Sequence, residues 1–178
     1  FVDQHGEIRA LLTRQKVRMY PPFFGNPCSQ ITVPLEKLGH AIGDLKRLLQ
    51  RTQYRGIFSA EFKFDPRDNL FKLLEINARP YWYIAFTCHS GMDLCRLAYD
   101  DALGNAVRTI ECFKVGRTAL YPYYDFFAML ELRGHGLSGW WSWLLQIIRA
   151  EQPIFAWSAP LPALSGVAEI LGGRLRKI

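Results

Sequence analysis

The chain has 178 residues, of which 49% are hydrophobic, 14% aromatic and 21% charged, with a net charge of +6. That is about one domain's length, and its apolar content excludes a disordered chain, which lacks the surface to offset the entropy of ordering. The positive charge suits nucleic acid, anionic lipid or a phosphorylated ligand alike and selects none of them.

Cys28, Cys88, Cys95 and Cys112 form no CxxC pair and are too sparse for a disulfide framework, which fits a reducing cytoplasm. The most apolar stretch, 140–148, falls far short of the ~20 residues that span a bilayer. The opening Phe1-Val2-Asp3 has no Met and no signal-peptide pattern, so the chain reads as a piece of something longer.

Residues 6–20 read as an extended run ending at Pro21 and Pro22. Period-two alternation puts Arg14, Lys16 and Arg18 on one face of it with Leu12 and Tyr20. From Pro34, the spacing of Leu35, Leu38, Ile42, Leu45, Leu48 and Leu49 predicts one amphipathic helix. Next come two strand-like runs separated by Asp65-Pro66-Arg67-Asp68-Asn69, a cluster with strong turn chemistry, which predicts a hairpin. Phe58, Ala60, Phe62 and Phe64 fall on one face of its first strand and Ser59, Glu61 and Lys63 on the other. In its second strand Glu75 and Asn77 share a face, and a turn centred near Asp68 sets Glu61 opposite or beside Glu75.

Residues 81–103 read as two helical segments divided at Gly91, with Gly104 ending the second. A strand near 112–120, helices near 123–133 and 138–150, a short strand around 153–157 and a helix from about 163 complete the expectation. The fold class is α+β, an antiparallel sheet flanked by helices with a helix-rich C-terminal extension. A boundary near 105 divides a first part, 1–105, from that extension, 106–178.

Two glutamates facing each other across a sheet repel, so something compensates them. One compensation is a set of surface ion pairs with Lys63, Lys72 or Arg67. The other is a divalent cation, because magnesium is typically held by one or two carboxylates while ATP phosphates and water complete its oxygen shell. The run Glu75-Ile76-Asn77-Ala78-Arg79-Pro80, fourteen residues after Glu61, favours the second. Glu61, Glu75 and the Asn77 side-chain oxygen make a partial shell, and the Arg79 guanidinium suits the oxygens of a transferred phosphoryl group.

The stretch YRGIFSAEFKFDPRDNLFKLLEINARPYW, with RQKVRMYPPFFGN and VPLEKL upstream and GMDLCRLAYDDALG downstream, resembles the C-terminal subdomain of the ATP-grasp superfamily. Within it, the likeness is greatest to ATP-dependent carboligases similar to D-aspartate ligase, and it covers roughly residues 1–105. The resemblance implies that Glu61, Glu75 and Asn77 bind two magnesium ions bridging the phosphates of ATP, and that Arg79 stabilises an acyl phosphate. By the same resemblance Lys16 and Arg18, at positions that are often basic in the superfamily, would bind phosphate or the substrate carboxylate, and Lys63, standing where many members carry an apolar residue near the adenine, is a further candidate for ATP or phosphate contact. Small-molecule carboxylate and amine substrates would follow, as would an N-terminal half, supplying most of the nucleotide pocket, that precedes Phe1. The isolated chain is accordingly expected to be inactive. An alternative is a non-catalytic binding or scaffold module derived from the same fold.

A glycosidase using the two carboxylates leaves Asn77 and Arg79 without a role. Cys88 and His89 are adjacent in a helix, point in different directions and read as packing rather than as a dyad. The Trp140-Trp141-Trp143 cluster reads as core, with Arg149, Arg174, Arg176 and Lys177 as basic residues around and beyond it, and no nucleic-acid partner is expected.

Overall fold

The computed structural model describes residues 1–22, 25–132, 137–152 and the single positions Pro160, Leu161 and Ser165. Among the described residues the fold is α+β. The strands are β1 (Thr13–Tyr20), β2 (Asn26–Val33), β3 (Ser59–Asp65), β4 (Leu70–Asn77) and β5 (Thr118–Leu120). The α-helices are α1 (Ala41–Arg51), α2 (Ile84–His89), α3 (Leu94–Ala102), α4 (Pro122–Glu131) and α5 (Leu137–Arg149). The chain forms two compact units, one of Phe1–Arg14 with Thr32–Gly116 and one of Gln15–Ile31 with Arg117–Ile178.

In the first unit the β3–β4 hairpin lays an apolar face on α1. Leu45 and Leu49 of α1 are buried with Val2 and Phe58, and half-buried Ala60, Phe62 and Ile76 close over them. Burying each of these leucines stabilises the unit by about 1.5–3 kcal/mol. Leu45 and Leu49 are four residues apart, one turn, so a single helix face suffices. A second cluster gathers Phe1, Ala10, Met92, Leu94 and Leu97. The α2–α3 corner beside it turns at Gly91, whose φ of 102° is a conformation that only glycine adopts without strain. Asp93 caps α3 by accepting a hydrogen bond from the Arg96 N–H at 3.0 Å.

The start of the chain differs from the expected long strand. Regular pairing begins only at Thr13, while Val2 bridges Ile8 and Gly56 and Ala10 bridges Ile110. The cause is a turn organised by the buried Asp3. Its Oδ1 accepts the N–H groups of His5 and Glu7 at 2.9 and 2.8 Å, and its Oδ2 accepts Arg9 Nε at 2.6 Å. Burial on its own would raise this carboxyl, but the Glu7 N–H, the Arg9 guanidinium and the His5 N–H outweigh it and hold it below the ordinary value. A carboxyl depressed in the folded state contributes stability that is present above the unfolded value of about 4 and is lost as pH falls through the folded one. Asp3→Asn should therefore cost roughly 1–3 kcal/mol at pH 7, and the gap from wild type should narrow at pH 3. Urea unfolding at the two pH values measures it, and an equal gap at both would refute the assignment.

The single helix expected from Pro34 is two pieces. Leu35–Leu38 is one turn of 3-10 helix, Gly39 at φ 53° breaks it, and α1 begins at Ala41. The expected division at Gly91 and the stop at Gly104 hold, with α3 ending at Ala102 and Gly104 following at φ 75°. The strand expected over 112–120 shrinks to β5. The Lys114 and Gly116 N–H groups instead donate to Ser90 and Thr32 carbonyls inside the first unit.

The second unit holds β5 and most of β1 and β2, strands that follow the order β1-β2-β5, with β2 antiparallel to β5 in the register Ser29↔Leu120, Gln30↔Ala119 and Ile31↔Thr118. Pro122 opens α4 at a position where its missing N–H costs nothing. Phe126, Trp140 and Trp143 pack with ring centroids 5.7–5.9 Å apart. The tryptophan cluster is thus only partly core, since Trp141 is 66% exposed. Cys88 and His89, expected to pack, are both exposed at the end of α2. The strand expected near 153–157 and the helix expected from 163 lie outside the described residues. Among the described residues no helix is long and apolar enough to cross a membrane.

Candidate functional site

The hairpin turn is built by its own polar side chains. Asp65 Oδ1 accepts the Arg67 N–H at 3.1 Å, Asp68 Oδ1 accepts the Leu70 N–H at 3.2 Å, and Asn69 takes the left-handed conformation at φ 58°. From this turn the register runs Asp65↔Leu70, Phe64↔Phe71, Lys63↔Lys72 and Phe62↔Leu73, then shifts, and continues Glu61↔Glu75, Ala60↔Ile76 and Ser59↔Asn77. The shift is a bulge that leaves Leu74 as the extra residue. Without it Leu73 would share a face with Glu75. With it, Leu73 opposes Phe62 and Lys72 joins the polar face.

Residues directly opposite on antiparallel strands point to the same side of the sheet. One face of the hairpin therefore carries three successive rungs: Ser59 with Asn77, Glu61 with Glu75, and Lys63 with Lys72. Glu61 and Asn77 are half-buried, while Glu75, Lys63 and Arg79 are exposed. Asn77 Nδ2 donates to Glu75 Oε1 at 2.7 Å. That bond fixes the orientation of the amide and leaves its Oδ1 as an oxygen donor. Arg79 follows the end of β4, and among the described residues it makes no hydrogen bond or ion pair.

Two of the cations that could neutralise the glutamate pair are turned elsewhere. Arg67 holds Asp65 through Nε at 2.9 Å and Nη2 at 2.7 Å, and Lys72 pairs with Asp68 and lies 4.0 Å from Asp65. The Arg67 guanidinium and its backbone N–H keep the Asp65 carboxyl down at about 2. Among the described residues, no three His, Cys, Asp or Glu side chains are grouped to hold a metal ion. Any cation on this face would lean on two carboxylates, the Asn77 amide oxygen and oxygens from a ligand and water. That is the incomplete hard-oxygen shell magnesium accepts, so the residues present fit the ion.

Arg14, which the sequence places among the strand cations without a distinct role, belongs to the same unit. Its Nη2 donates to Ser59 Oγ at 3.1 Å and to the Tyr83 hydroxyl. Its guanidinium carbon lies 3.8 Å from the Tyr83 ring centroid and 5.0 Å from that of Tyr81. The only sequence signal for this is the pair of tyrosines two residues apart after Pro80.

Lys16 and Arg18 belong to the second unit. Lys16 is half-buried. Arg18 donates from Nε and Nη2 to the two carboxylate oxygens of Asp125 at 2.7 and 2.8 Å, and from Nη2 to Gln146 Oε1 at 2.8 Å. A phosphate contact by Arg18 therefore competes with this pair. Burial, and then the Asp125 carboxylate beside it, push the Cys28 thiol up to about 12, so it stays protonated.

No family model matches the chain, and no solved structure matches it. A D-aspartate ligase from Enterococcus faecium (strain Aus0004) is 34% identical over 61 residues, which cover 34% of this chain and 14% of that enzyme. The chain is therefore similar to a ligase over about a third of its own length, and the match spans a small part of that relative.

Proposed function

We propose that the chain is part of an ATP- and magnesium-dependent ligase of the ATP-grasp type, joining a carboxylate to an amine. In this reading residues 1–105 form the C-terminal subdomain of that fold and 106–178 a helix-rich extension, in a cytoplasmic protein. The observation that carries it is the direct pairing of Glu61 with Glu75 on one hairpin face, with Asn77 bonded to Glu75. The similarity to D-aspartate ligase supports it, and D-aspartate is the first substrate to try.

Glu61, Glu75 and Asn77 would hold two magnesium ions, which when bound supply charge neutralisation to the phosphates of ATP. Asn77 keeps the Glu75 carboxylate turned to the open face. Arg79, exposed just beyond β4, would follow the phosphoryl group as charge moves onto it. Lys63 would hold phosphate oxygens. Phosphate contact by Lys16 and Arg18 is a separate proposal for the second unit, and Arg18 would make it only by giving up part of its pairing with Asp125. In the reaction a carboxylate oxygen attacks the γ-phosphorus while the bond to the departing ADP breaks. The amine nitrogen then attacks the acyl carbon and loses a proton, and inorganic phosphate leaves.

The test is ADP release by the full-length gene product, with and without magnesium, against a panel of small acids and amines that includes D-aspartate. Magnesium-dependent ADP release that requires both an acid and an amine is the expected result. Its absence across the panel, with ATP still bound, would instead support a binding or scaffold module.

A further inference from the structure

We propose that Arg14 is the receptor for the carboxylate of the acid substrate, an inference that rests on the ligase reading above. The starting point is an electrostatic imbalance. Arg14 is half-buried, and among the described residues its partners are two hydroxyls and two aromatic faces, with no carboxylate. A cation withdrawn from water without a counter-ion is costly. Stacking on Tyr83 and Tyr81 offsets part of that cost, since ring faces attract guanidinium groups. The remainder is met when an anion arrives.

The fork is also held ready. Tyr83 and Ser59 are both buried, at 5% and 7% exposure, so the groups that fix the guanidinium are themselves fixed by packing. Both protein bonds use Nη2, which leaves Nε and Nη1 with N–H groups that no described residue accepts. Arginine nitrogens in this state suit carboxylate oxygens.

Position along the hairpin distinguishes the acid from the nucleotide. Arg14 bonds to the Ser59/Asn77 rung, the glutamate rung comes next, and the Lys63/Lys72 rung lies beyond it. Successive rungs are about 7 Å apart, two residues of strand rise. A phosphate chain drawn to Lys63 and a carboxylate drawn to Arg14 would therefore approach the Glu61/Glu75 rung from opposite sides. That is the arrangement a carboxylate oxygen needs to attack a γ-phosphorus as ADP departs on the far side. The bulge at Leu74 is part of this order, because it brings Lys72 onto the polar face.

Two experiments separate this inference from the reading beneath it. The first uses the 15N-labelled chain and follows arginine Nε–Hε resonances by NMR, with Arg14→Lys to identify the Arg14 signal. Titration with succinate should shift that signal saturably, and inorganic phosphate should shift it less. No saturable shift with succinate, or an equal or larger one with phosphate, would overturn the proposal. The second uses the full-length gene product with an acid that supports ADP release. Arg14→Met and Arg14→Lys should raise KM for the acid roughly 10- to 100-fold, as loss of a charged hydrogen-bonded partner does, with KM for ATP within about twofold. A role in packing alone would leave the KM for the acid at its wild-type value and would overturn the proposal while leaving the ligase reading intact. Failure of the wild type to turn over ATP with any acid would remove the ligase reading instead, with the succinate titration still deciding whether Arg14 binds carboxylates.

Discussion

Glu75→Gln in the full-length gene product is expected to lower ATP-dependent turnover roughly 100- to 1,000-fold, the usual effect of losing one electrostatic contact to charge that develops in a transition state. The substitution is nearly isosteric, and the new amide oxygen can still accept the bond from Asn77 Nδ2, which spans 2.7 Å in the present chain. Only the charge is lost. Metal affinity weakened in this way is saturable, so raising magnesium should recover part of the defect. Lys16→Ala should be milder, act mainly on apparent substrate affinity and show no magnesium rescue. Stability moves the other way. Glu61 and Glu75 face each other directly, and removing one of two like charges relieves repulsion. The thermal midpoint of Glu75→Gln should therefore be unchanged or slightly higher, a signature of a group retained for function at some cost in stability. Full activity of the folded variant at low magnesium would end the metal-binding role.

The hairpin that carries this face is legible in the sequence because two local signals agree. Asp65 to Asn69 has turn chemistry, and Phe58, Ala60 and Phe62 alternate with Ser59, Glu61 and Lys63. Alternation over so few residues leaves the pairing open by one, and the bulge at Leu74 is where that freedom is used. Phe64 shows the limit of reading a face from period alone. It lies beyond the bulge near the turn and is 44% exposed, meeting Phe71 at 5.2 Å rather than the core.

β2 gives a misleading hydrophobic signal, because Ile31 and Val33 alternate in it while the buried positions include the polar Ser29, Gln30 and Thr32. Gly39 divides a run whose leucine spacing alone reads as one helix. The partners of Arg14 and Arg18 are the least legible features of all. Ser59 is 45 residues from Arg14 and Asp125 is 107 from Arg18, and one strand cation looks like the next until the fold brings its partner to it. Period two treats the three cations of β1 alike. It could not tell that one meets tyrosines and another a buried aspartate.

Asp125→Ala is expected to destabilise the second unit by about 3–5 kcal/mol, the range for removing one partner of a buried ion pair. Asp125 is fully buried and serves four donors. Arg18 supplies Nε and Nη2 at 2.7 and 2.8 Å, Trp143 Nε1 donates at 2.8 Å, and the Cys28 thiol donates at 3.3 Å. Alanine would strand all of them, with the Arg18 side chain, only 14% exposed, left as a buried cation without its counter-ion. Against a typical total of 5–15 kcal/mol, such a loss brings a domain close to unfolding. Cys28→Ala should cost far less, because a protonated thiol is a weak donor and its removal leaves Asp125 with three bonds. The double variant Arg18→Met with Asp125→Leu separates the worth of the pair from the cost of breaking it. If most of the single-variant penalty is the orphaned charge, the apolar pair should recover much of the loss. Urea unfolding followed by tryptophan fluorescence, to which Trp143 contributes directly, measures each variant. A loss below about 1 kcal/mol for Asp125→Ala, the range of an exposed ion pair, would mean that water reaches this aspartate and that the pair does not hold β1, α4 and α5 together.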